Sequence, residues 1–228
     1  MDWFTEFCET FEKCFIREDR YKLLLDGIGV TIKVSLLAAV LGLIIGFLIA
    51  ICNLSKNKAL NIFGKVYTDV IRGTPSVTQL MIIYFVVFAS VHWEKWIIAA
   101  IAFSINSGAY VSEIIRAGIL SIDKGQTEAG RSLGLTGVQT MFYIVVPQAF
   151  KNIFPAMCNE FITLIKETAI VGYVGLVDIQ KAGDFIKSAT YEAFMPLIAT
   201  AIIYFILIKI LTLALGRIEA RLRKSDIR

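Results

Sequence analysis

The sequence has 228 residues, of which 57% are hydrophobic and 18% are charged, with a mean hydropathy of +0.69 and a net charge of +4. Soluble domains are about 45–50% apolar and about 25% charged, so this composition excludes an ordinary soluble domain. A membrane-spanning helix needs about 20 apolar residues, and the chain has room for about five. The basic residues form no patch with interleaved aromatic side chains, which argues against nucleic acid as a partner.

The N-terminal segment, residues 1–22, is acidic and aromatic and lacks the basic start and apolar core of a cleavable signal peptide. Its apolar residues recur near helical spacing: Trp3, Phe4, Phe7, Phe11, Cys14 and Phe15. This pattern predicts an amphipathic helix at the bilayer surface, the alternative being a frayed tail. Cys8 and Cys14 could form a disulfide if the segment is extracytoplasmic, and no cysteine has metal-ligand spacing.

Five apolar segments follow and predict five transmembrane helices in an all-α membrane protein. They cover residues 27–52, 68–90, 96–115, 153–177 and 194–215. Pro75 lies near the start of the second segment. It predicts a break or kink there, because proline has no N–H and disfavours helix at the residue before it. Trp93 lies in the short turn between the second and third segments and Trp96 begins the third, and both are typical of an aromatic belt.

The distribution of lysine and arginine predicts how the segments are oriented. One side of the membrane holds Lys56, Lys58, Lys65, Arg72, Arg116, Lys124, Arg131, Lys151 and a basic tail over residues 218–228. The other side holds the N-terminal segment with Lys95, Lys181 and Lys187. The positive-inside rule then predicts an N-terminus outside, with the C-terminus and the polar stretch 116–150 in the cytoplasm.

The polar stretch contains a pattern typical of a docking loop. Glu128–Gly134 predicts a short helix followed by a glycine able to turn sharply, and then a second helix that stops or starts at Pro147. Glu128 and Arg131 are three residues apart and therefore share a helix face. A cytoplasmic loop of this form is suited to contact a separate partner protein.

The same loop resembles the signature of ABC importer permeases, in which EAA is followed by three residues, a glycine, nine residues and I-x-L-P. The matching positions are Glu128, Ala129, Gly134, Ile144 and Pro147. The sequence departs from the pattern at Gly130, usually alanine, and at Val146, usually leucine. The resemblance implies that the loop couples the chain to an ATPase through Glu128, Ala129, Gly130, Arg131, Gly134 and Pro147.

Other runs resemble the polar amino acid branch of these permeases. They are Arg72–Pro75 followed by Gln79, Tyr110–Ile119 and Leu164–Thr168. The resemblance implies a type I importer fold over residues 23–217 in the bacterial cytoplasmic membrane. It also implies three kinds of partner: a second permease subunit, identical or homologous; ABC ATPase subunits; and an extracytoplasmic amino-acid-binding protein.

The sequence argues against catalysis by the chain itself. It contains no G-x-x-x-x-G-K-[ST] phosphate loop, so ATP and magnesium are expected to be used by the partner ATPase, with no cofactor or metal held here. His92 is the single histidine and falls in a short polar turn, and no H-E-x-x-H occurs, so hydrolytic catalysis has few residues to use. The chain is therefore expected to be a transport subunit rather than an enzyme.

Charged residues inside an apolar segment are functional candidates, because they are costly to bury in lipid. Lys166 and Glu167 could meet the carboxylate and the ammonium of an amino acid, and Glu160 lies on roughly the same face; the alternative is contact with other helices. Glu113 and Arg116 are expected to form a structural ion pair. Weaker substrate-binding candidates, for which helix packing is the alternative, are Thr74, Gln79, Asn106 and Ser107.

Other functions remain compatible with parts of the sequence. They are a permease for another solute such as methionine or an oligopeptide, a secondary transporter, an intramembrane enzyme and a structural scaffold. The runs Arg72–Pro75 and Tyr110–Gly118 argue against another solute, and the lack of an inverted repeat argues against a secondary transporter. The mechanism expected from the resemblance is alternating access, driven by ATPase subunits that push on the loop.

Overall fold

The structure is a computed structural model and describes residues 3–223. Within that range every regular element is helical and no β-strand occurs, which confirms the all-α class. The predicted basic tail falls partly beyond it, since Lys224 and Arg228 lie outside the described residues.

Ten α-helices make up the described range: α1 Trp3–Phe11, α2 Tyr21–Leu54, α3 Lys58–Arg72, α4 Ser76–Ile82, α5 Lys95–Leu120, α6 Lys124–Ser132, α7 Gly137–Thr140, α8 Val146–Glu167, α9 Ile179–Thr190 and α10 Phe194–Arg223. Turns of π-helix follow α1, α4 and α7 over Glu12–Ile16, Ile83–Val87 and Met141–Val145. Short 3₁₀ segments cover Arg17–Asp19 and Thr168–Val174.

Three of the described helices are long and apolar enough to cross a membrane, namely α2, α5 and α10. The pair α3 and α4, broken after Arg72, is a fourth candidate. The predicted fourth span corresponds mainly to α8, which carries Lys151, Glu160, Lys166 and Glu167 along its 22 residues and falls outside these candidates. The count of five spans therefore stays a prediction.

The chain breaks at Pro75 as the sequence predicts. The N–H of Gly73 donates to the carbonyl of Asp69 at the end of α3, and Pro75 takes an extended conformation immediately before α4. The helix before the break starts at Lys58, well before the predicted segment boundary at residue 68. The early start follows from Asn57, whose side chain caps the first turn of α3.

Helix α3 exposes an apolar face. That face carries Leu60, Ile62, Phe63, Val66 and Val70, although the charged residues Lys58, Lys65, Asp69 and Arg72 are exposed as well. Its packed face is polar or small: Gly64 lies against the amide of Asn53, and the Tyr67 hydroxyl donates to the carbonyl of Ile105 over 2.6 Å. This arrangement is the reverse of a water-soluble amphipathic helix and suits lipid, where apolar exposure costs nothing and polar groups need internal partners.

The described chain divides into two compact units. The first comprises residues 3–39, Pro75–Phe103 and Thr163–Leu211, and the second comprises Val40–Thr74, Ser104–Ile162 and the residues from Thr212. Each has its own buried residues. The first includes the cluster Cys14, Phe15, Leu24, Ala182 and Ile186.

A buried aspartate lies where three helices of the first unit come together. Asp178 is fully buried and precedes α9, where its carboxylate accepts hydrogen bonds from the N–H groups of Gln180 and Lys181. The hydroxyl of Tyr204 in α10 donates to the same carboxylate. Gly27 of α2 lies so close that an added Cβ would stand 2.8 Å from the Asp178 carbonyl carbon. Helices α2, α9 and α10 therefore meet at this residue.

In the second unit, glycines bring α2 and α5 together. A Cβ at Gly46 would collide with the side chain of Val111, and one at Gly108 would stand 2.7 Å from Ile45. Small residues at such crossings let backbones approach closely, which is how helices pack when lipid removes the hydrophobic driving force.

The N-terminal segment is helical over Trp3–Phe11, which confirms the predicted helix and excludes a frayed tail for these residues. Its aromatic side chains are exposed, whereas Cys14 and Phe15 are buried in the first unit. Cys8 and Cys14 are both free thiols, one exposed and one buried, so the structure does not contain the disulfide that the sequence left open.

Candidate functional site

The predicted docking loop is built around a left-handed glycine. Helix α6 begins after Asp123, whose carboxylate accepts the N–H of Gly125 at 2.7 Å, and ends at Ser132. Gly134 follows with φ of +82°, a conformation that costs other residues about 1–2 kcal/mol. The Arg131 guanidinium donates to the carbonyl of Leu135 and closes the turn. This is the sharp glycine turn that the sequence predicts.

The helix after the turn starts at a capping box. The N–H of Thr136 donates to the Gln139 side chain over 2.8 Å, and the N–H of Gln139 donates to the Thr136 hydroxyl over 3.3 Å. Helix α8 starts at Val146, so Pro147 lies in its first turn as predicted, although the chain stays helical from Gly137 into α8. A turn of π-helix precedes Pro147 and accommodates its missing N–H.

Gly130 stands where the signature usually has alanine, and the structure gives the reason. A Cβ at this position would approach the Thr140 methyl at 2.7 Å and the Ile144 terminal methyl at 2.8 Å. Those side chains of the second helix occupy the space that alanine would take. The departure from the pattern is therefore compensated within the loop itself.

The loop exposes an apolar surface that the sequence analysis missed. Leu133, Val138, Phe142 and Tyr143 are all more than 65% exposed. The proposed coupling residues Glu128, Ala129, Arg131, Gly134 and Pro147 are exposed in the same loop, whereas Gly130 is buried. Contiguous apolar exposure rimmed by charge marks protein contact surfaces. The signal in the sequence was four large apolar residues within a polar stretch.

Two of the predicted substrate-binding residues are brought together. The hydroxyl of Ser107 in α5 donates to the carboxylate of Glu160 in α8 over 2.8 Å. Gly42 lets α2 pack closely against this pair, since a Cβ there would stand 3.3 Å from the Cβ of Ser107. Asn106 is buried in the same unit. A half-buried carboxylate with a hydroxyl partner can bind an ammonium or guanidinium group.

The other candidates occupy different places. Thr74 is exposed, and its hydroxyl donates to the carbonyl of Val70, which gives it a role in closing α3. Gln79 is buried in α4 of the first unit. Lys166 and Glu167 are the last residues of α8 rather than mid-helix groups, and Lys166 is exposed. A lysine in the last turn interacts favourably with the helix dipole.

An ion-pair cluster lies in the second unit. Arg116 donates to Glu113 over 2.8 Å, as the sequence predicts, and Arg72 adds a contact of 3.7 Å to the same carboxylate. The guanidinium of Arg72 also lies over the Tyr110 ring. These charges line an open cavity of about 540 Å³ together with Lys65, Asp69 and polar neighbours. Sequence spacing could find the helical pair but gave no signal for Arg72.

Comparison with known proteins decides the family. The chain matches, over residues 42–224, the family described as the binding-protein-dependent transport system inner membrane component. The chain belongs to that family. As a binding-protein-dependent inner membrane component it is a transport permease of the bacterial inner membrane, which sets aside the secondary transporter, enzyme and scaffold alternatives.

Relatives of this inner membrane component carry amino acid names. The arginine transport system permease protein of Bacillus subtilis is 43% identical over 205 residues, covering 89% of this chain and 94% of the relative. The L-cystine transport system permease protein of the same organism is 37% identical over 209 residues, covering 91% and 89%. A solved amino acid ABC transporter with histidines superposes with a TM-score of 0.83 at 40% identity, covering 91% and 98%.

Proposed function

We propose that the chain is the membrane-spanning subunit of an ATP-driven importer of polar amino acids, working by alternating access. The observation that carries the proposal is the exposed helix–glycine–helix loop around Gly134, which presents charged and apolar side chains to a partner. Its relatives are named as arginine and cystine permeases, which supports amino acids as the solute class.

The topology proposed is five spans with the N-terminus outside and the C-terminus in the cytoplasm. Four spans are α2, the α3–α4 pair, α5 and α10, and the fifth is α8. The charges that lower the hydropathy of α8 are acceptable if they face a polar pathway instead of lipid. The proposed organisation is an interfacial segment over residues 1–22, a permease domain over 23–217 and a basic tail from 218.

The loop is proposed to bind an ABC ATPase subunit. Leu133, Phe142 and Tyr143 supply the apolar contact area, and Glu128 and Arg131 supply a polar rim. Because α7 continues without interruption into α8, a displacement of the loop moves the helix that carries Glu160. ATP and magnesium act in the partner, and this chain contributes the contact surface and the moving helix.

The substrate site is proposed to centre on Glu160 and Ser107. The carboxylate binds a positive group of the amino acid, while the Ser107 hydroxyl orients the carboxylate. Asn106 and Thr74 of the same unit are further proposed contacts. Gln79, Lys166 and Glu167 stay predicted substrate-binding residues, with Lys166 expected to bind a substrate carboxylate. A binding protein outside and a second permease subunit, identical or homologous, complete the assembly.

Reconstituted transport tests the proposal. Proteoliposomes that contain the chain, its ATPase and its binding protein should accumulate labelled arginine, glutamine or cystine. This uptake should require ATP on the side of the membrane where the ATPase lies. The Gly134→Asp variant should remain folded but lose uptake and the stimulation of ATP hydrolysis by the loaded binding protein. Full coupling in that variant would show that the loop is not the docking site, and uptake of methionine or peptides alone would move the chain to another solute class.

A further inference from the structure

A stripe of aromatic side chains runs along the N-terminal segment. Trp3, Phe7, Phe11 and Phe15 recur every four residues, and ring centroids lie 5.8 Å apart for the first pair and 5.1 Å apart for the last. The exposed fraction falls from 77% at Trp3, through 43% and 45%, to 7% at Phe15. The N-terminal end of the stripe is therefore exposed, and its C-terminal end is buried in the core.

The buried end of the stripe is firmly held. Phe15 and Cys14 pack with Leu24 of α2 and with Ala182 and Ile186 of α9. The ammonium of Lys13 pairs with Glu192 over 3.1 Å, and the guanidinium of Arg20 donates to the carbonyl of Lys13 over 2.7 Å. Helix α1 is thus fixed at its C-terminal end, while Trp3, Phe4, Phe7 and Phe11 present about 100° of apolar surface without cover.

The C-terminal end of α1, which is buried, lies near the first residues of two candidate membrane-spanning helices. Helix α2 begins at Tyr21, five residues after the π-helical turn ends at Ile16. Helix α10 begins at Phe194, two residues beyond Glu192, and Phe194 is itself exposed. Chain connectivity therefore puts α1 at the level where the spans leave the hydrocarbon, and tryptophan and other aromatics favour that level.

Resting on the interfacial segment of the proposed organisation, we propose that α1 lies in the headgroup layer of a zwitterionic bilayer, with the Trp3–Phe11 face at the acyl boundary, and anchors the first unit there. Its polar face carries Glu6 and Glu9, and the segment Trp3–Phe11 contains no lysine or arginine. Anionic headgroups would repel that face, so the lipid that fits is zwitterionic, such as a phosphocholine or phosphoethanolamine. The binding energy comes from aromatic burial and does not require charge attraction.

Tryptophan fluorescence tests the proposal on the full chain. The emission of wild type minus that of Trp3→Phe isolates Trp3 from Trp93 and Trp96. In nanodiscs of phosphatidylcholine this difference emission should be blue-shifted, protected from iodide and quenched when dibrominated phosphatidylcholine replaces the ordinary lipid. Mixing in phosphatidylglycerol should leave the quenching unchanged or weaken it.

Two double variants separate lipid contact from folding. Phe7→Glu with Phe11→Glu should abolish the lipid quenching of Trp3, whereas Glu6→Gln with Glu9→Gln, on the opposite face, should retain it. Trp3 that is open to iodide and unaffected by brominated lipid overturns the proposal. Protection from iodide without lipid quenching also overturns it, because a protein surface then covers the stripe. Quenching that depends on phosphatidylglycerol overturns the zwitterionic assignment.

Discussion

The hydroxyl of Tyr204 donates a hydrogen bond to the buried carboxylate of Asp178, 2.9 Å away, and so ties α10 to the start of α9. Hydrogen bonds to a buried charged group are worth about 1.5–3 kcal/mol. Tyr204→Phe should lower the free energy of unfolding by about that amount, measured by thermal unfolding in detergent. Tyr191→Phe is the matched control, since that ring is 93% exposed. Equal losses in both variants would contradict the assigned role.

The same carboxyl predicts a pH dependence. Burial raises the pKa of Asp178 above its ordinary value, although hydrogen bonds from Lys181, Tyr204 and Gln180 oppose the shift. A raised folded-state pKa adds stability below the ordinary value, and this stability is lost as the pH rises through the raised value. The melting temperature of wild type should therefore fall relative to Asp178→Asn as the pH rises above about 4. Parallel curves for the two proteins would contradict this.

The conformation of Gly134 predicts a local effect of adding a methyl group. Gly134→Ala should cost about 1–2 kcal/mol in the turn and reduce the ATPase activity that the permease supports, because φ is +82° there. Gly137 lies three residues away, has open space around its Cα and does not have a positive φ. Gly137→Ala should leave activity intact. Identical ATPase rates for the two variants would show that the turn is not under this constraint.

The close approach of α2 and α5 gives a second pair of glycine variants. Gly46→Ala should lower the yield of folded protein and its melting temperature, since the new Cβ would collide with Val111. Gly29→Ala, on the same helix, meets nothing within 4 Å and should have little effect. Size-exclusion profiles and thermal unfolding would measure both. Alanine has the higher helix propensity, so a Gly29→Ala variant that is destabilised as much as Gly46→Ala would contradict the packing explanation.

The Glu160–Ser107 pair predicts a charge-specific change in transport. Glu160→Gln keeps a hydrogen-bonding group but removes the charge, so half-saturating concentrations for cationic amino acids should rise about 10- to 150-fold, as expected for a charge-assisted hydrogen bond. Uptake of neutral amino acids should change less. Asn159→Ala, at an exposed neighbouring position, is the control. Unchanged uptake of arginine in Glu160→Gln would make the carboxylate structural.

Local features of this fold could be predicted from the sequence, because they depend on a few neighbouring residues. The break at Pro75, the glycine turn at Gly134 and the Glu113–Arg116 pair are all set by chain chemistry within four residues. The N-terminal helix followed from a 3.6-residue period in the same way. Spacing rules of this kind require no knowledge of the tertiary structure.

Contacts between distant segments could not be predicted in this way. Nothing near Asp178 indicates Tyr204, 26 residues later, and nothing near Glu113 indicates Arg72. The position of Lys166 and Glu167 at a helix end was also missed, because apolar residues continue through the 3₁₀ segment beyond them. Hydropathy identifies apolar segments, but it does not identify the residue at which an α-helix gives way to a 3₁₀ helix.

Pro155 lies inside α8, between the loop that ends near Pro147 and the carboxylate of Glu160. Proline has no N–H to donate to the preceding turn, so the helix is less stiff there than a regular helix of the same length. The part of α8 that connects the loop to Glu160 can therefore bend at Pro155. A displacement of the loop would be absorbed partly by that bending, so the displacement of Glu160 would be smaller than that of the loop.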